Sequence, residues 1–244
     1  MILVATSDWH TDRKTLGVDR YDDVRQAAHQ SVDYAIRARA NLWAFLGDLC
    51  DPEDGYEVAR GTELSLEIAL RLRGAKISSF WIAGNHCPYE NGLGRTVLSP
   101  LRALASDADN KLHLFEEPGS RVFDFGSDQF HVIALPYPPV SRSFDLADAC
   151  RAELTKPRRD TCATIVLAHA TYIPGAVEGE ETLEMPRGRA VPLPVDVIPK
   201  GARVLNGHYH TPQVTPGGVL IPGAPARLTK GEAKNEPRFI VLDL

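Results

Sequence analysis

The sequence has few cysteines, no long apolar run and no basic leader. Its 244 residues include four cysteines, and none of Cys50, Cys87, Cys150 and Cys162 forms a C-x-x-C pair. This pattern excludes a disulfide framework and predicts reduced thiols in a cytoplasmic protein. No stretch of about 18 apolar residues predicts a membrane span, and the apolar residues 2–6 predict a buried strand rather than a signal peptide.

Positive charge is also scarce, because the net charge of the chain is −5. A protein that coats nucleic acid without sequence preference would carry a basic surplus. A nuclease is not excluded, since bound divalent cations would offset the charge of acidic ligands locally. We predict that the basic clusters at residues 156–159 and at Arg187 and Arg189 are solvated loops.

Short apolar runs alternate with helical patterns along the chain, and 43% of the residues are hydrophobic, as in an ordinary globular enzyme. The first third is predicted to be β-α-β-α-β, and the remainder is rich in strands. This order predicts an α/β fold with two mixed sheets flanked by helices, a four-layer α-β-β-α sandwich in a single domain over residues 1–244. The predicted helices cover 21–40, 63–73 and 144–154, and the predicted strands cover 2–5, 42–46, 77–82, 112–115, 122–125, 130–135, 164–167, 204–205, 219–221 and 239–242.

Five of the eight histidines lie in or beside short cassettes that also contain Asp, Asn or Gly. Most cassettes follow an apolar run, where open α/β sheets collect their sites. Imidazole and carboxylate are ligands of borderline divalent metals, and several of each suit two neighbouring ions. The cassettes are Asp8-Trp9-His10, Gly47-Asp48-Leu49-Cys50-Asp51, Gly84-Asn85-His86, Ala168-His169 and Gly207-His208-Tyr209-His210.

The spacing within the cassettes suggests how the ligands act. Asp8 and His10 are two residues apart at a strand end, so in extended geometry both would face one ion. The two oxygens of Asp48 could bridge two ions, whereas Asn85 would supply an oxygen without charge. His208 and His210 could face one centre or straddle two. The remaining histidines are predicted to be structural, namely His29, His113 and His131.

The ordered set D-x-H, GD-x-x-D, GNH, H and GH-x-H resembles that of the calcineurin-like metallophosphoesterase superfamily over essentially the whole chain. The resemblance implies a hydroxide between two divalent ions that attacks phosphorus, with the ions neutralising the phosphoryl oxygens. It implies that His86 faces the leaving oxygen as general acid or transition-state stabiliser. One ion would be held by Asp8, His10, Asp48 and His210, and the other by Asp48, Asn85, His169 and His208, with Asp48 bridging.

Within the superfamily, the tail resembles the nuclease domain of the bacterial SbcD family of DNA repair nucleases. The stretch from Pro222 to Glu232, PGAPARLTKGE, is the more specific match, and residues 134–137 are similar to a strand in the middle of that domain. Two positions depart from the family pattern: Cys87 replaces an acidic residue that would orient the histidine, and Thr11-Asp12 replaces Leu-Gly. The chain ends just after its last predicted strand, so we expect no capping domain.

These features leave three functions open. The leading hypothesis is a Mn²⁺-dependent DNA nuclease or phosphodiesterase that favours single-stranded or frayed DNA. The second is an enzyme that hydrolyses small phosphoesters such as cyclic nucleotides, and the third is a non-catalytic scaffold. No membrane partner is expected, and the sequence does not predict the oligomeric state. The predicted substrate contacts are Arg95, Tyr172 and Asp51, with Tyr89 and Tyr137 as further residues able to stack on bases.

Overall fold

Two β-sheets organise the part of the chain that the computed structural model describes, which comprises residues 1–51, 55–88, 95–105, 111–138, 144–177 and 190–244. The strands of the first sheet are β1 (Ile2–Thr6), β4 (Leu42–Phe45), β5 (Ser78–Ile82), β6 (Leu112–Phe115) and β13 (Ile240–Asp243). Their order in the sheet is β13-β1-β4-β5-β6, in which only β13 is antiparallel to its neighbour.

The second sheet has six strands, with a parallel centre and antiparallel pairs at both edges. They are β7 (Gly119–Phe125), β8 (Asp128–Leu135), β9 (Ala163–Ala168), β10 (Arg203–Asn206), β11 (Gln213–Val214) and β12 (Leu220–Ile221). Their order in the sheet is β11-β12-β10-β9-β8-β7. A small hairpin of β2 (Lys14–Thr15) and β3 (Val18–Asp19) stands apart from both sheets.

The sheets pack face to face, and helices cover their outer faces. Alternate residues of β1 show this division, because Leu3 joins the apolar cluster between the sheets while Val4 joins the cluster under the helices. The first sheet is covered by α1 (Tyr21–Arg37) and α2 (Gly55–Gly74), and the second by α4 (Leu146–Leu154). The predicted four-layer sandwich of two mixed sheets is therefore confirmed. A short helix, α3 (Arg102–Ala105), follows the 3-10 turn Ser99–Leu101.

The second helix differs most from the sequence-based expectation, because it begins at Gly55 rather than at residue 63. Gly61 interrupts the apolar pattern of this helix in the sequence. In the structure this glycine is buried, because the helix packs closely against neighbouring residues there. A Cβ atom at Gly61 would lie 2.7 Å from Thr11 Oγ1 and 3.2 Å from Cys50 Sγ. The first helix ends at Arg37, slightly before its predicted end. Strands of two residues, such as β2 and β11, carry no detectable period and were not predicted.

None of the described helices is long and apolar enough to cross a membrane. The histidines predicted to be structural lie apart from the cassettes: His29 contacts Arg71 and Glu67 between two helices, and His131 is completely buried. His113 packs with its ring centroid 4.9 Å from that of Phe80. Neither ring nitrogen of His113 has a hydrogen-bond partner among the described residues, and burial lowers its pKa to about 4.

This buried imidazole predicts an acid-dependent loss of stability. The unfolded chain binds a proton at His113 near pH 6.5, whereas the folded protein binds it only near pH 4. Stability from this residue is therefore complete above pH 6.5 and is lost as the pH falls towards 4. Between pH 7 and pH 5, we expect wild type to lose about 2 kcal/mol more unfolding free energy than His113→Phe. Urea unfolding with chelator at both pH values measures this difference, and parallel losses in the two proteins would contradict it.

Candidate metal centre

The predicted cassettes meet at the carboxyl ends of five strands. In the first sheet, β1, β4 and β5 end side by side, since Thr6 pairs with Phe45 and Phe45 pairs with Trp81. In the second sheet, β9 and β10 end together where Ala168 pairs with Asn206. A backbone hydrogen bond of 2.9 Å from Tyr137 to the Ala83 carbonyl links the two sheets at this end. Residues far apart in sequence are thus collected at one edge of the sandwich.

Two groups of buried ligand-type side chains form there. Within each group, one nitrogen or oxygen atom per residue lies within 4.8 Å of the others. Asn85 joins the second group, because its Oδ1 lies 2.9 Å from His169 Nε2 and 3.0 Å from His208 Nδ1. The structure thus brings together all seven residues that were predicted to be ligands, and their binding of metal stays a prediction. The first group is Asp8, His10 and His210, and the second is Asp48, His169 and His208.

Asp48 lies between the groups and contacts both. Its Oδ2 atom is 3.1 Å from His169 Nε2 and 3.9 Å from His10 Nε2. Its other oxygen accepts the backbone N–H of His86 at 2.9 Å. Asp8 is held in the same way, since its Oδ1 accepts the backbone N–H of His208 at 2.9 Å. Each carboxylate therefore uses one oxygen to fix the neighbouring loop and keeps the other within its group.

The donor set fits divalent cations. Asp8 Oδ2 and His208 Nε2 are buried without a hydrogen-bond partner among the described residues, which is costly unless an ion or water satisfies them. His10 Nε2 and His210 Nε2 lie only 3.2 Å apart, and a bound cation would accept a lone pair from each. Mixed nitrogen and oxygen ligands suit Mn²⁺, Fe²⁺ and Zn²⁺ better than an all-oxygen shell would.

Burial keeps two of the imidazoles neutral, although it also raises the pKa of the Asp8 carboxyl. Burial lowers the pKa of His208 to about 3 and holds the pKa of His10 well below its usual value, helped by the nearby His210. These imidazoles are therefore neutral, as metal binding requires. Burial alone would raise the pKa of Asp48, but His169 and His86 outweigh it and hold that pKa well below the usual range. Asp48 thus remains a carboxylate.

The backbone at the ligands is left-handed rather than extended. Strand β1 ends at Thr6, and both Asp8 (φ 54°) and His10 (φ 40°) have positive φ. The expectation that they follow each other on one face of an extended strand was therefore wrong. Backbone hydrogen bonds explain the turn, since Asp8 N–H donates to Gly47 and His10 N–H to Asp48. Asp48 and His208 also have positive φ, a conformation uncommon for residues other than glycine.

Two glycines let these loops approach. A Cβ atom on Gly84 would lie 2.6 Å from the backbone nitrogen of Asp48 and would overlap its carboxylate. Gly47 has φ 101°, and a Cβ atom there would lie 2.9 Å from the Cα atom of Gly84 and would overlap the ring of His169. No side chain fits at either position without displacing a ligand.

His86 lies beside the metal groups and forms a close pair with Asp51. Its Nδ1–H donates to Asp51 Oδ1 at 2.6 Å, and its ring centroid is 5.0 Å from that of His10. Burial opposes the charged imidazole, but Asp48 and Asp51 raise the pKa of His86 to about 9. Cations bound beside Asp48 would lower this pKa. Asp51 thus orients the histidine, which is the role of the acidic residue that Cys87 replaces in the family pattern. Asp12 in turn accepts the Asp51 backbone N–H at 3.3 Å.

The structure also shows supporting residues that the sequence analysis did not assign. Glu232 contacts His210, with 2.8 Å between Oε1 and Nδ1. Asn206 bonds both backbone groups of Ala170, at 2.8 Å and 3.0 Å, and so ties the His169 loop to the His208 loop. Two features of the sequence could have pointed to these roles. Asn206 directly precedes the GH-x-H cassette, and Glu232 lies in the tail motif.

The predicted substrate contacts are less tightly placed. Arg95 is exposed and precedes Thr96, which pairs with Pro88 just after His86. Tyr172 is half exposed and follows His169 closely, whereas Tyr137 is buried. Substrate contact by Asp51, Arg95 and Tyr172 stays a prediction. Tyr89 lies outside the described residues.

The basic cluster at residues 156–159 lies at the far end of the second sheet. It precedes β9, whose other end leads to His169, so the separation is roughly 20 Å for six residues of strand. Arg159 contacts Asp124 and its backbone N–H donates to Gln129, near the start of β8. The predicted solvated character is therefore compatible with the structure. Arg187 and Arg189 lie outside the described residues.

A sandwich with two nitrogen- and oxygen-rich groups at its strand ends is an architecture suited to metal-dependent hydrolysis. Comparison with family models matches residues 1–212 to the calcineurin-like phosphoesterases, and the chain belongs to this family. It is a metal-dependent phosphoester hydrolase with a dinuclear divalent metal centre. A search of curated proteins gave no match.

Solved structures share the fold at low sequence identity. A dimetal phosphatase from Danio rerio is 13% identical, with a TM-score of 0.54, over 99% of this chain and 91% of that chain. The protein TT1561 of Thermus thermophilus is 13% identical, with a TM-score of 0.50, over 91% and 89%. The sulfate thiohydrolase SoxB of Thermus thermophilus is 16% identical, with a TM-score of 0.52, over 91% of this chain and 51% of that chain. This chain thus spans about half the length of SoxB.

The position of Asp48 predicts that one substitution disables both groups. In Asp48→Ala we expect the protein to retain neither ion under conditions in which wild type holds two, because Asp48 belongs to the second group and its Oδ2 atom also approaches His10 of the first. Asp12→Asn is the matched control, since this carboxylate lies near the site but belongs to neither group. Elemental analysis after gel filtration measures the ions per chain. Retention of two ions in Asp48→Ala would show that Asp48 does not bridge.

Proposed function

We propose that this protein is a DNA nuclease that hydrolyses phosphodiester bonds with two divalent ions, Mn²⁺ in the first instance. The observation that carries the proposal is the position of the tail that resembles the SbcD family. Ala224 N–H donates to the His210 carbonyl at 3.1 Å, and Ser7 Oγ donates to the Gly223 carbonyl at 3.4 Å. Glu232, at the end of that motif, contacts His210. The most specific part of the resemblance therefore packs against the metal groups.

The ligand assignment belongs to the same proposal. Both sets include Asp48, whose Oδ2 atom reaches both groups. When bound, the two ions polarise the phosphoryl group and activate water for attack on phosphorus. One ion would be held by Asp8, His10, Asp48 and His210, and the other by Asp48, Asn85, His169 and His208.

His86 supplies the proton chemistry in this proposal. Its ring lies beside His10, and its Nδ1–H is occupied by Asp51. Its Nε2 atom is therefore the one that can donate a proton or a hydrogen bond to the leaving oxygen. Asp51 fixes the ring and stabilises its charged form, as the carboxylate of a catalytic triad does for its histidine.

Removing this imidazole should separate metal binding from chemistry. We expect His86→Ala to keep both ions and to lose turnover by about a hundredfold or more. The loss should shrink for diesters with acidic leaving groups, which need no protonation. Asp51→Ala should show the same dependence on the leaving group, and the double variant should be no worse than His86→Ala because the pair acts as a unit. Metal loss in His86→Ala would instead identify this residue as a ligand.

Two exposed side chains are proposed to contact the nucleic acid. Arg95 lies at the base of the segment that follows His86, where it can clamp a phosphate. Tyr172 exposes 50% of its surface close to His169 and can stack on a base.

A second candidate function is hydrolysis of small phosphodiesters such as cyclic nucleotides. The observation that favours it is the charge distribution: the net charge is −5, and the basic cluster at residues 156–159 is at the wrong end of the sheet to guide a strand into the site. Long-range attraction for duplex phosphates is accordingly small.

The cytoplasmic location stays a prediction from the cysteine pattern.

A substrate panel with Mn²⁺ distinguishes the two functions. We expect single-stranded or frayed DNA to be cut faster than blunt duplex, with activity that chelation abolishes and salt weakens. Arg95→Gln should raise KM for DNA, whereas the matched control Arg159→Gln, at the far end of the sheet, should not. The panel also contains RNA, cyclic nucleotides and a chromogenic diester. Turnover of small diesters alone would support the second candidate, and efficient cleavage of blunt duplex at near-physiological salt would contradict the expected preference.

A further inference from the structure

We propose that Glu232 is a positioning residue that fixes the tautomer of His210 and thereby controls loading of one metal group. The inference rests on the ligand assignment proposed above. Glu232 lies in the 3-10 turn Gly231–Lys234 and is only 5% exposed. Among the described residues it belongs to neither ligand group, so its part is to support a ligand rather than to bind the ion.

Both oxygens of Glu232 are engaged in defined contacts. Oε1 lies 2.8 Å from His210 Nδ1, and Oε2 accepts the backbone N–H of Leu228 at 2.7 Å. A carboxylate can only accept from a neutral imidazole, so Nδ1 of His210 carries the proton. The lone pair is then on Nε2, the atom that lies 3.2 Å from His10 Nε2 within the group. Glu232 therefore selects the ring form that can bind a cation at this place.

The second group achieves the same selection with a weaker acceptor. His169 Nδ1 lies 2.6 Å from the backbone carbonyl of Leu46. A carboxylate makes a stronger, charge-assisted hydrogen bond than a carbonyl and raises the basicity of the imidazole. Of His169 and His210, only His210 has its Nδ1 atom paired with a side chain, and that side chain can be substituted.

An amide cannot replace this carboxylate. A glutamine at position 232 has one acceptor and one donor end, whereas His210 Nδ1–H and Leu228 N–H both require an acceptor. If the amide oxygen faces Leu228, its NH₂ group faces His210 and favours the ring form with the proton on Nε2. In that form the lone pair is on Nδ1, and Nε2 has none with which to bind the ion. Glu232→Gln therefore changes the tautomer while keeping the side-chain volume.

The tail has other anchors, so this variant should fold. Thr15 Oγ1 donates to the Leu228 carbonyl at 2.6 Å, and Arg227 Nε donates to the Asn235 carbonyl at 2.9 Å. Neither contact involves the Glu232 side chain. The matched control is Glu153→Gln, since Glu153 is also buried but pairs with Lys156 just after α4, away from the metal groups.

The test measures metal binding and ring protonation without substrate. Titration calorimetry with Mn²⁺, supported by elemental analysis, should show two ions in wild type and in Glu153→Gln. In Glu232→Gln, one of the two binding steps should weaken by about 10- to 100-fold while the other is retained. Long-range ¹H–¹⁵N spectra of the metal-free proteins should show His210 with its proton on Nδ1 in wild type and a shift towards Nε2 in Glu232→Gln.

The outcomes separate this inference from the proposed function. Failure of wild type to bind two ions, or retention of both by His210→Ala, would refute the ligand assignment itself. Two unchanged binding steps in a folded Glu232→Gln would show that Glu232 only anchors the tail. An unchanged His210 tautomer in Glu232→Gln would also overturn the proposal. If the variant does not fold, wild type alone still tests it, because a wild-type His210 without the proton on Nδ1 would contradict the proposal.

Discussion

The Asp48 carboxylate, buried among imidazoles, is the interaction on which the site depends. A lone carboxylate in such an environment would be strongly disfavoured, yet His169 and His86 keep it charged. Its two oxygens have different partners: Oδ1 accepts the His86 backbone N–H, and Oδ2 lies near His10 in one ligand group and His169 in the other. Bound divalent cations would complete the charge balance, and metal binding would then help to stabilise this edge of the sandwich.

The clustering of these side chains could be predicted from sequence because each cassette is local and follows an apolar run. Parallel strands carry such cassettes to one edge whatever the loops between them do. The loop conformation could not be predicted in this way. Asp8, His10, Asp48 and His208 adopt left-handed backbone that Asp and His accept only when neighbouring loops hold them. Those loops come from other strands, so no local pattern reports the constraint.

The contacts of His86 and His210 were missed for the same physical reason. His86 and Asp51 are 35 residues apart, and His210 and Glu232 are 22 apart. Each pair is created by the packing of separate elements rather than by spacing along one helix or strand. The replacement of an acidic residue by Cys87 showed that some group had to fix His86, but only the structure identifies Asp51. Short edges such as β11 were missed because two residues define no period.

Substrate choice follows from what surrounds the centre rather than from the centre itself. The ligand groups are common to enzymes that act on many phosphoesters, so they set the reaction but not the substrate. The charges around His86 differ in sign: Asp51 pairs with the ring, whereas the positive charge of Arg13 opposes its protonation. Burial and the neighbouring Asp51 raise the pKa of Asp12 to about 6, so this carboxyl keeps most of its negative charge at neutral pH and loses it only in more acidic solution. With a net charge of −5 and the basic cluster at residues 156–159 at the far end of the second sheet, a nucleic-acid strand at this centre would be held mainly by stacking and short-range contacts rather than by a charged track.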